Sequence, residues 1–377
     1  FILIPMVGLR WANLFAVAIN LAIALFSFSL SKQQRLAVIS AVVFGGAILI
    51  SLIRPSPGIA FGYGIADHFA SYDRYKEINR NSKTLFDKES NYGRVQVFEN
   101  LEKEGSEKNL FLMINGRFEG ASLDDTNVRL LSYLPMTIVK EPRSAMIIGL
   151  GTGTTLATLA KDQGLKSIDS VEINPTAYEA VSKHFYPDLF KDKRINVIGD
   201  DARHYMGLTR KKYEIIVSAP SYPTSKAVSH LFTKDFYEIA KSKLKKNGAF
   251  VQWLPGYLLD REDMQTAVKT LLSAYPNTYA IRVHNNDIIF VALKSKKSEP
   301  LDVEAIESEI NGLGDQNIWG WQFRAGPRTL AKAVSSPDIA LNTDDLPLIE
   351  FTSMRRKYSP KVEEVKEERG LESILQR

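Results

Sequence analysis

The sequence predicts an α/β chain. Its centre is a parallel sheet built from strand–turn–helix units, preceded by a small antiparallel β unit and, before that, by two transmembrane helices. Three observations carry this. Residues 144–155 read SAMIIGLGTGTT, an apolar run followed by glycine at every second position, with Leu156, Leu159 and Ala160 then repeating at helical spacing. Further apolar runs at Ile168–Ile173, Arg194–Ile198 and Tyr213–Ser218 each end in polar residues, with helix-like segments between them. Residues 12–30 and 36–53 are charge-free runs of 19 and 18 residues joined by the polar turn SKQQR, close to the roughly 20 apolar residues that cross a bilayer core.

From the N-terminus, Phe1 to Leu9 is also charge-free and reads as the tail of an earlier span, so the chain reads as part of a longer membrane protein. Trp11 sits where an interfacial aromatic belongs. Lys32 and Arg35 would hold the short turn in the cytoplasm, Arg10 and Arg54 argue the reverse, and the balance does not orient the pair. Residues 1–54 are therefore assigned to membrane helices. Arg54 to Gly64, rich in Pro and Gly, is a linker. Asn91–Glu99 alternates as a strand, and Leu110–Ile114 turns at Asn115-Gly116 into Arg117–Glu119, which is hairpin chemistry. Asp124–Leu134 is a helix. Residues 55–140 make up the linker and the N-terminal β unit.

Residues 141–295 form the nucleoside-binding domain. A turn without side chains lets backbone N–H groups approach a ligand, and a helix N-terminus adds partial positive charge. Glu172 lies 23 residues after Gly149, a crossover that puts a carboxylate at the tip of the neighbouring strand, where it can accept hydrogen bonds from two ribose hydroxyls. Asn174-Pro175 caps and opens a helix. The next two strands run into Gly199-Asp200-Asp201 and Ala219-Pro220-Ser221. A lone acid at a strand tip is commonly only solvated, but Gly-x-Gly-x-Gly, then Glu, then Asp at successive tips suits a nucleoside with no pyrophosphate. No Lys-Ser/Thr follows the glycines, which disfavours a phosphate-cradling loop. The turn also lacks the dinucleotide spacing, so an S-adenosylmethionine-type ligand is favoured over a nicotinamide one. Gly149, Gly151, Gly153, Glu172 and Asp200 are the candidate binding residues.

Leu231–Tyr237 opens a helix, Lys246-Asn247-Gly248 turns into a strand at Ala249–Trp253, and Tyr279–Val283 with Asp287–Ala292 forms a closing hairpin. Residues 296–377 are a C-terminal extension. There NTDDLPLIEF packs Asp344, Asp345 and Glu350 around Pro347, and a capped turn followed by a strand is favoured over a cation site. Tyr358–Arg377 reads as a solvated, charged helical tail.

Composition narrows the function. At 377 residues, 45% apolar and 24% charged, the chain suits two or three domains. The net charge of +5 comes from scattered Lys and Arg, without the dense basic runs and interleaved aromatics of a nucleic-acid binder. The absence of cysteine excludes disulfides, thiolate metal sites and cysteine nucleophiles, and five dispersed histidines with no HxxxH or HxH pair disfavour a histidine metal site.

The motifs YGRVQVFE, LFLMINGRFEG, IIGLGTGTT, VEINP, GDDAR, VSAPSYP, SHLFTKDFY and FVQW occur in the order seen in the polyamine aminopropyltransferases, the spermidine synthases. With IPMVGLR near the start and NTDDLPLIEF near the end, the chain most resembles the bacterial membrane-fused branch. The resemblance implies a Rossmann-like, S-adenosylmethionine-methyltransferase-type sheet behind the N-terminal β unit. It implies decarboxylated S-adenosylmethionine, or S-adenosylmethionine, as co-substrate, with no cofactor or metal. It also implies an amine acceptor such as putrescine, and places the protein in the cell inner membrane with its globular part in the cytoplasm. A homodimer or a place in a membrane complex is left open.

Gly149, Gly151, Gly153, Glu172 and Asp200 match the family's donor-binding positions, whereas the acceptor side departs from it. Soluble members carry Asp-Ser-Ser-Asp-Pro after the fourth strand, and the membrane-fused branch often has Ser-Glu-Pro-Ser-Asn-Pro; here the stretch is Ser218-Ala219-Pro220-Ser221-Tyr222-Pro223. The family's Tyr-Gln pair reads Tyr92-Gly93, and its Asp-Glu-x-x-Tyr-His-Glu helix reads Asp124-Asp125-Thr126-Asn127-Val128-Arg129-Leu130. Aminopropyl transfer needs a neutral amine, so some group must take its proton. Ser218, Tyr92, Asp201 and Tyr222 are the catalytic candidates, with Asp125 as a further substitute. Two alternatives stand beside the transferase: a non-catalytic family member acting as subunit or sensor, and an S-adenosylmethionine-dependent methyltransferase.

Overall fold

In the computed structural model the described residues are 3–30, 82–100, 109–123, 126–220, 222–226, 228–283, 286–295, 300–315, 318–351 and 371–375, with scattered helical positions between 35 and 46. They fall into two compact units, Phe1–Glu119 and Gly120–Arg377.

The first unit opens with one helix, Leu3–Leu30, 28 residues long. Pro5 lies in its first turn, where the missing N–H has no helical partner to lose. Residues 3–9 are therefore continuous with 12–30 in one helix. Trp11, Phe15, Ile23 and Phe26 are exposed. Among the described residues no helix is long and apolar enough to cross a membrane; side chains of this helix are described only for 11–27, and most of the expected second span and all of the linker lie outside the described residues.

Four antiparallel strands follow in the order β1-β2-β3-β4: β1 Ser82–Ser90, β2 Gly93–Asn100, β3 Leu110–Ile114 and β4 Arg117–Ala121. The polar, edge-lying β1 escaped the sequence pattern. The β3–β4 turn has positive φ at Asn115 and Gly116, as a two-residue hairpin requires.

The second unit contains an eight-stranded sheet. Its strands are β5 Ser144–Ile148, β6 Ser167–Val171, β7 Ile195–Ile198, β8 Tyr213–Ser218, β9 Leu244–Pro255, β10 Asn277–Val283, β11 Asp287–Leu293 and β12 Gln322–Ala325, in the order β12-β10-β11-β9-β8-β5-β6-β7. The β5–β9 ladder is parallel, and β11, β10 and β12 add antiparallel. Alternation along β5 sends Met146 and Ile148 to one core cluster and Ala145 and Ile147 to the other. The helices Thr126–Ile138, Thr154–Ala160 and Pro175–His184 supply Leu130, Leu134, Leu156 and Val181 to the second cluster. Met206, Phe236, Tyr237 and Met264, from the helices Ala202–Leu208, Lys234–Lys243 and Arg261–Ala274, fill the first.

Several expectations are corrected. The helix Thr126–Ile138 packs on the sheet of the second unit, because Leu130, Leu131 and Leu134 are apolar on the face meeting β9, β11 and β8. The expected Lys246–Gly248 turn lies within β9 as an irregularity: Tyr213 pairs with Leu244 and Ile215 with Ala249, leaving residues 245–248 out of register. Gly248 is required there, since an added Cβ would lie 2.7 Å from the Glu214 carbonyl oxygen. Asn342–Phe351 does not end in a strand; residues 348–351 begin a helix. The described part of the tail is not solvated, because Leu371 and Ile374 are buried in the first core cluster.

Gly153, the N-cap of Thr154–Ala160, has φ +88°, and a Cβ there would lie 2.7 Å from Val181 Cγ1. Gly153→Ala should therefore cost about 1–3 kcal/mol of stability, measured by denaturant unfolding. A neutral substitution would show that the turn relaxes without strain.

Candidate functional site

The strand order reverses between β5 and β8, which makes the carboxyl ends of these strands the natural ligand crevice of an open parallel sheet. At this edge Gly149 N–H donates to the Val171 carbonyl (2.9 Å), Glu172 N–H to Ile198 (3.0 Å) and Ala219 N–H to Ile148 (3.1 Å). The tips of β5, β6, β7 and β8 are thereby tied side by side. Gly149, Gly151 and Gly153 all have positive φ, and nothing lies within 4 Å of a Cβ built on Gly151. The Gly149–Gly153 backbone can thus be approached closely, and the helix Thr154–Ala160 points its N-terminus at it.

Glu172 does something the sequence did not suggest. One carboxylate oxygen accepts the Leu150 N–H at 2.9 Å and the other the Asn174 N–H at 2.8 Å. It pins the glycine turn to the tip of β6. Burial pushes its carboxyl upward, opposed by these backbone donors. Asn174 caps the next helix through Thr176 N–H at 3.1 Å, with Pro175 at its first position.

Asp200 accepts the Asp201 N–H at 2.8 Å and faces His204 Nδ1 at 2.8–2.9 Å. It stands at the β7 tip, as expected of a base-binding residue. Asp201 is differently employed. It caps Ala202–Leu208 by accepting the N–H groups of Arg203 (2.9 Å) and His204 (3.0 Å), and its other oxygen lies 3.5 Å from His230 Nε2. His230 and these donors hold its carboxyl down to about 2. A group so firmly ionised is a weak proton acceptor, which counts against Asp201 as the base.

Ser218 ends β8 wholly buried, and its hydroxyl has no hydrogen-bond partner among the described residues. Tyr222 is half-buried on the following loop, and its carbonyl accepts the Ser225 N–H at 2.9 Å. Tyr92 is exposed in the β1–β2 turn and belongs to the other unit. Asp125 lies outside the described residues. The second unit thus gathers Glu172, Asp200, Asp201 and Ser218 at neighbouring strand tips.

Two of the three acids of NTDDLPLIEF are spent on structure. Asp344 pairs with the Arg203 guanidinium and accepts the Thr233 hydroxyl at 2.7 Å, and Glu350 accepts the Ser229 hydroxyl at 2.7 Å. These bonds fasten the segment against the β8–β9 connection. Among the described residues no acidic or histidine cluster could hold a metal. A depression lined by Lys212, Lys245, Lys246 and Lys294 lies at the opposite edge of the sheet, where β9 begins.

Sequence reasoning missed one carboxyl altogether. Asp287 heads β11, otherwise apolar through IIFVAL, and is buried. It accepts the Trp253 indole N–H at 2.9 Å and the Asn127 amide at 3.2 Å. An acid heading an otherwise apolar strand was the available signal.

The Asp201 cap makes a testable case. Its folded value lies below the unfolded one, so its contribution is complete above about pH 4 and disappears as pH falls through about 2. Asp201→Ala should cost about 1 kcal/mol at pH 7, the usual scale for a lost N-cap. The gap between variant and wild type should close towards pH 2 in thermal melts; a gap independent of pH would contradict the assignment.

Known proteins resemble this chain in sequence and in fold. The spermine/spermidine synthase domain model matches residues 125–304. The chain is 27% identical over 238 residues to a polyamine aminopropyltransferase of Methanocaldococcus jannaschii, covering 59% of this chain and 80% of that protein. It is 24% identical over 317 residues to one from Oceanobacillus iheyensis, covering 82% of this chain but 59% of that protein. A spermidine synthase solved with the transition-state analogue AdoDATO shares the fold at TM-score 0.54 and 18% identity, over 69% of this chain and 87% of the other. Through residues 125–304 the chain is similar to the spermine/spermidine synthase domain family.

Proposed function

We propose that the protein is a membrane-anchored, spermidine-synthase-like aminopropyltransferase. The observation that carries this is the joined edge of β5, β6 and β8, where Glu172 clamps the glycine turn beside the buried end of β8, in a chain similar to polyamine aminopropyltransferases. The donor is decarboxylated S-adenosylmethionine. Glu172 receives its ribose hydroxyls, Asp200 its adenine amine, and the glycine backbone admits the nucleoside. An amine nitrogen attacks the carbon next to the sulfonium. The C–N bond forms as the C–S bond breaks, the bonding pair returns to sulfur, methylthioadenosine leaves, and the amine's proton passes to a nearby base.

Donor binding is the first test. Calorimetric titration with decarboxylated S-adenosylmethionine and S-adenosylmethionine should favour the former, while the reverse preference would support a methyltransferase. Glu172→Ala should weaken nucleoside binding by about 1.5–3 kcal/mol. Because Glu172 also holds Leu150, unfolding of the same variant must be measured alongside. Unchanged affinity with the fold intact would remove Glu172 from the site.

Ala219 supports a second reading, a non-catalytic subunit or sensor that keeps the nucleoside site. Related enzymes place a carboxylate on this loop, and loss of a positioned base costs about 10²–10⁴-fold in rate. We expect weak putrescine turnover in the wild type and a gain in Ala219→Asp. Putrescine turnover at about 1–10³ per second in the wild type would show that the base lies elsewhere. No methylthioadenosine from any amine would favour the non-catalytic reading.

The anchor is residues 12–30 and 36–53 as an antiparallel helical pair, with the globular part at the cytoplasmic face of the inner membrane. The exposed Trp11, Phe15, Ile23 and Phe26 of Leu3–Leu30 support it. The full chain should require detergent, and removal of residues 1–54 should release a soluble domain. A full chain that stays in the aqueous fraction would contradict the anchor.

A further inference from the structure

The proposed transfer brings a cationic amine to a site whose β8 loop carries Ala219 where an acid would attract it. Asp287 is a buried carboxyl at this edge that no step yet uses. Its register partner on β9 is Pro255, at the carboxyl end of a strand that runs parallel to β8, so Asp287 lies on the edge where β5 and β8 finish. β8, β9 and β11 are successive neighbours. Ser218 pairs with Gln252, which faces Phe290, so Asp287 lies three residues beyond the level of the β8 end and two strands across from it; at about 3.3 Å per residue and 4.8 Å per strand the two are about 14 Å apart.

Its contacts lead back to the nucleoside side. Asn127, which donates to Asp287, precedes Val128, whose carbonyl accepts the Thr155 hydroxyl at 3.0 Å. Thr155 lies in the first turn after the glycines, and its own carbonyl accepts the Ser132 hydroxyl at 2.8 Å. A continuous chain of hydrogen bonds and adjacent residues thus connects the glycine turn to Asp287. Both donors to Asp287 are neutral. A buried carboxylate without a countercharge is costly, and burial pushes this one up to about 7. An ammonium group would supply what the protein does not.

We propose that Asp287 is the anionic end of the acceptor-amine subsite, receiving the ammonium of a diamine whose other nitrogen attacks near the β8 tip. This rests on the aminopropyltransferase reading. It gives Trp253 and Asn127 the role of orienting the carboxylate.

The test is calorimetric titration of putrescine, and of n-butylamine as the one-nitrogen analogue, into the full chain in detergent saturated with methylthioadenosine. The wild type should bind putrescine more tightly than n-butylamine. Asp287→Asn should lose about tenfold to a hundredfold in putrescine affinity, the scale of a hydrogen bond to a charged group. Affinities for n-butylamine and methylthioadenosine should hold. The proposal is overturned if putrescine binds Asp287→Asn as it binds the wild type, if wild type binds the two amines equally or not at all, or if the variant weakens both amines and the nucleoside together, which marks a packing role. Failure of the wild type to bind methylthioadenosine is a separate result: it removes the nucleoside site itself, and this inference with it.

Discussion

The site depends on the double acceptance by Glu172. Its carboxylate closes two backbone donors, one on the glycine turn and one on the turn that opens Pro175–His184. The turn needs such a clamp, because three residues with positive φ within five positions leave it little to prefer one shape over another. Without Glu172 the Leu150 N–H would lose its acceptor and the N-terminus of Thr154–Ala160 would lose its fixed aim. The same carboxylate is the residue proposed to receive the ribose hydroxyls, so the loop architecture and the proposed recognition rest on one side chain.

Around this clamp most nearby acids already have structural partners. Asp201 caps a helix and pairs with His230, Asp344 neutralises Arg203, and Glu350 takes the Ser229 hydroxyl. Asp287 differs in kind, being buried against two neutral donors. A motif search counts all four as equivalent carboxylates. Their partners separate three that consolidate the fold from one still short of a countercharge.

What could be read from sequence follows from how local each signal is. β5, the glycine turn, the Asn174-Pro175 cap and β8 are set by neighbours within a few residues, and the structure has them where the pattern put them. β6 ends one residue before Glu172, leaving that residue at the strand tip where it was expected. β1 and β12 were illegible because an edge strand carries little alternation; their pairing with β2 and β10 defines them. Asn342–Phe351 misled because its acids looked like a cluster, whereas Arg203 and Ser229, which take two of them, lie more than a hundred residues away. The dual role of Glu172 and the position of Asp287 belong to the same class, fixed by sheet register and by partners distant in sequence.

The central claim is that the glycine-turn site transfers an aminopropyl group and not a methyl group. Its most direct measurement is the nucleoside product. The full chain in detergent is incubated with decarboxylated S-adenosylmethionine or S-adenosylmethionine and a panel of aliphatic amines, and the products are identified by mass spectrometry. The account predicts methylthioadenosine together with an amine heavier by one aminopropyl group, from the decarboxylated donor alone. S-adenosylhomocysteine with a methylated product would contradict it.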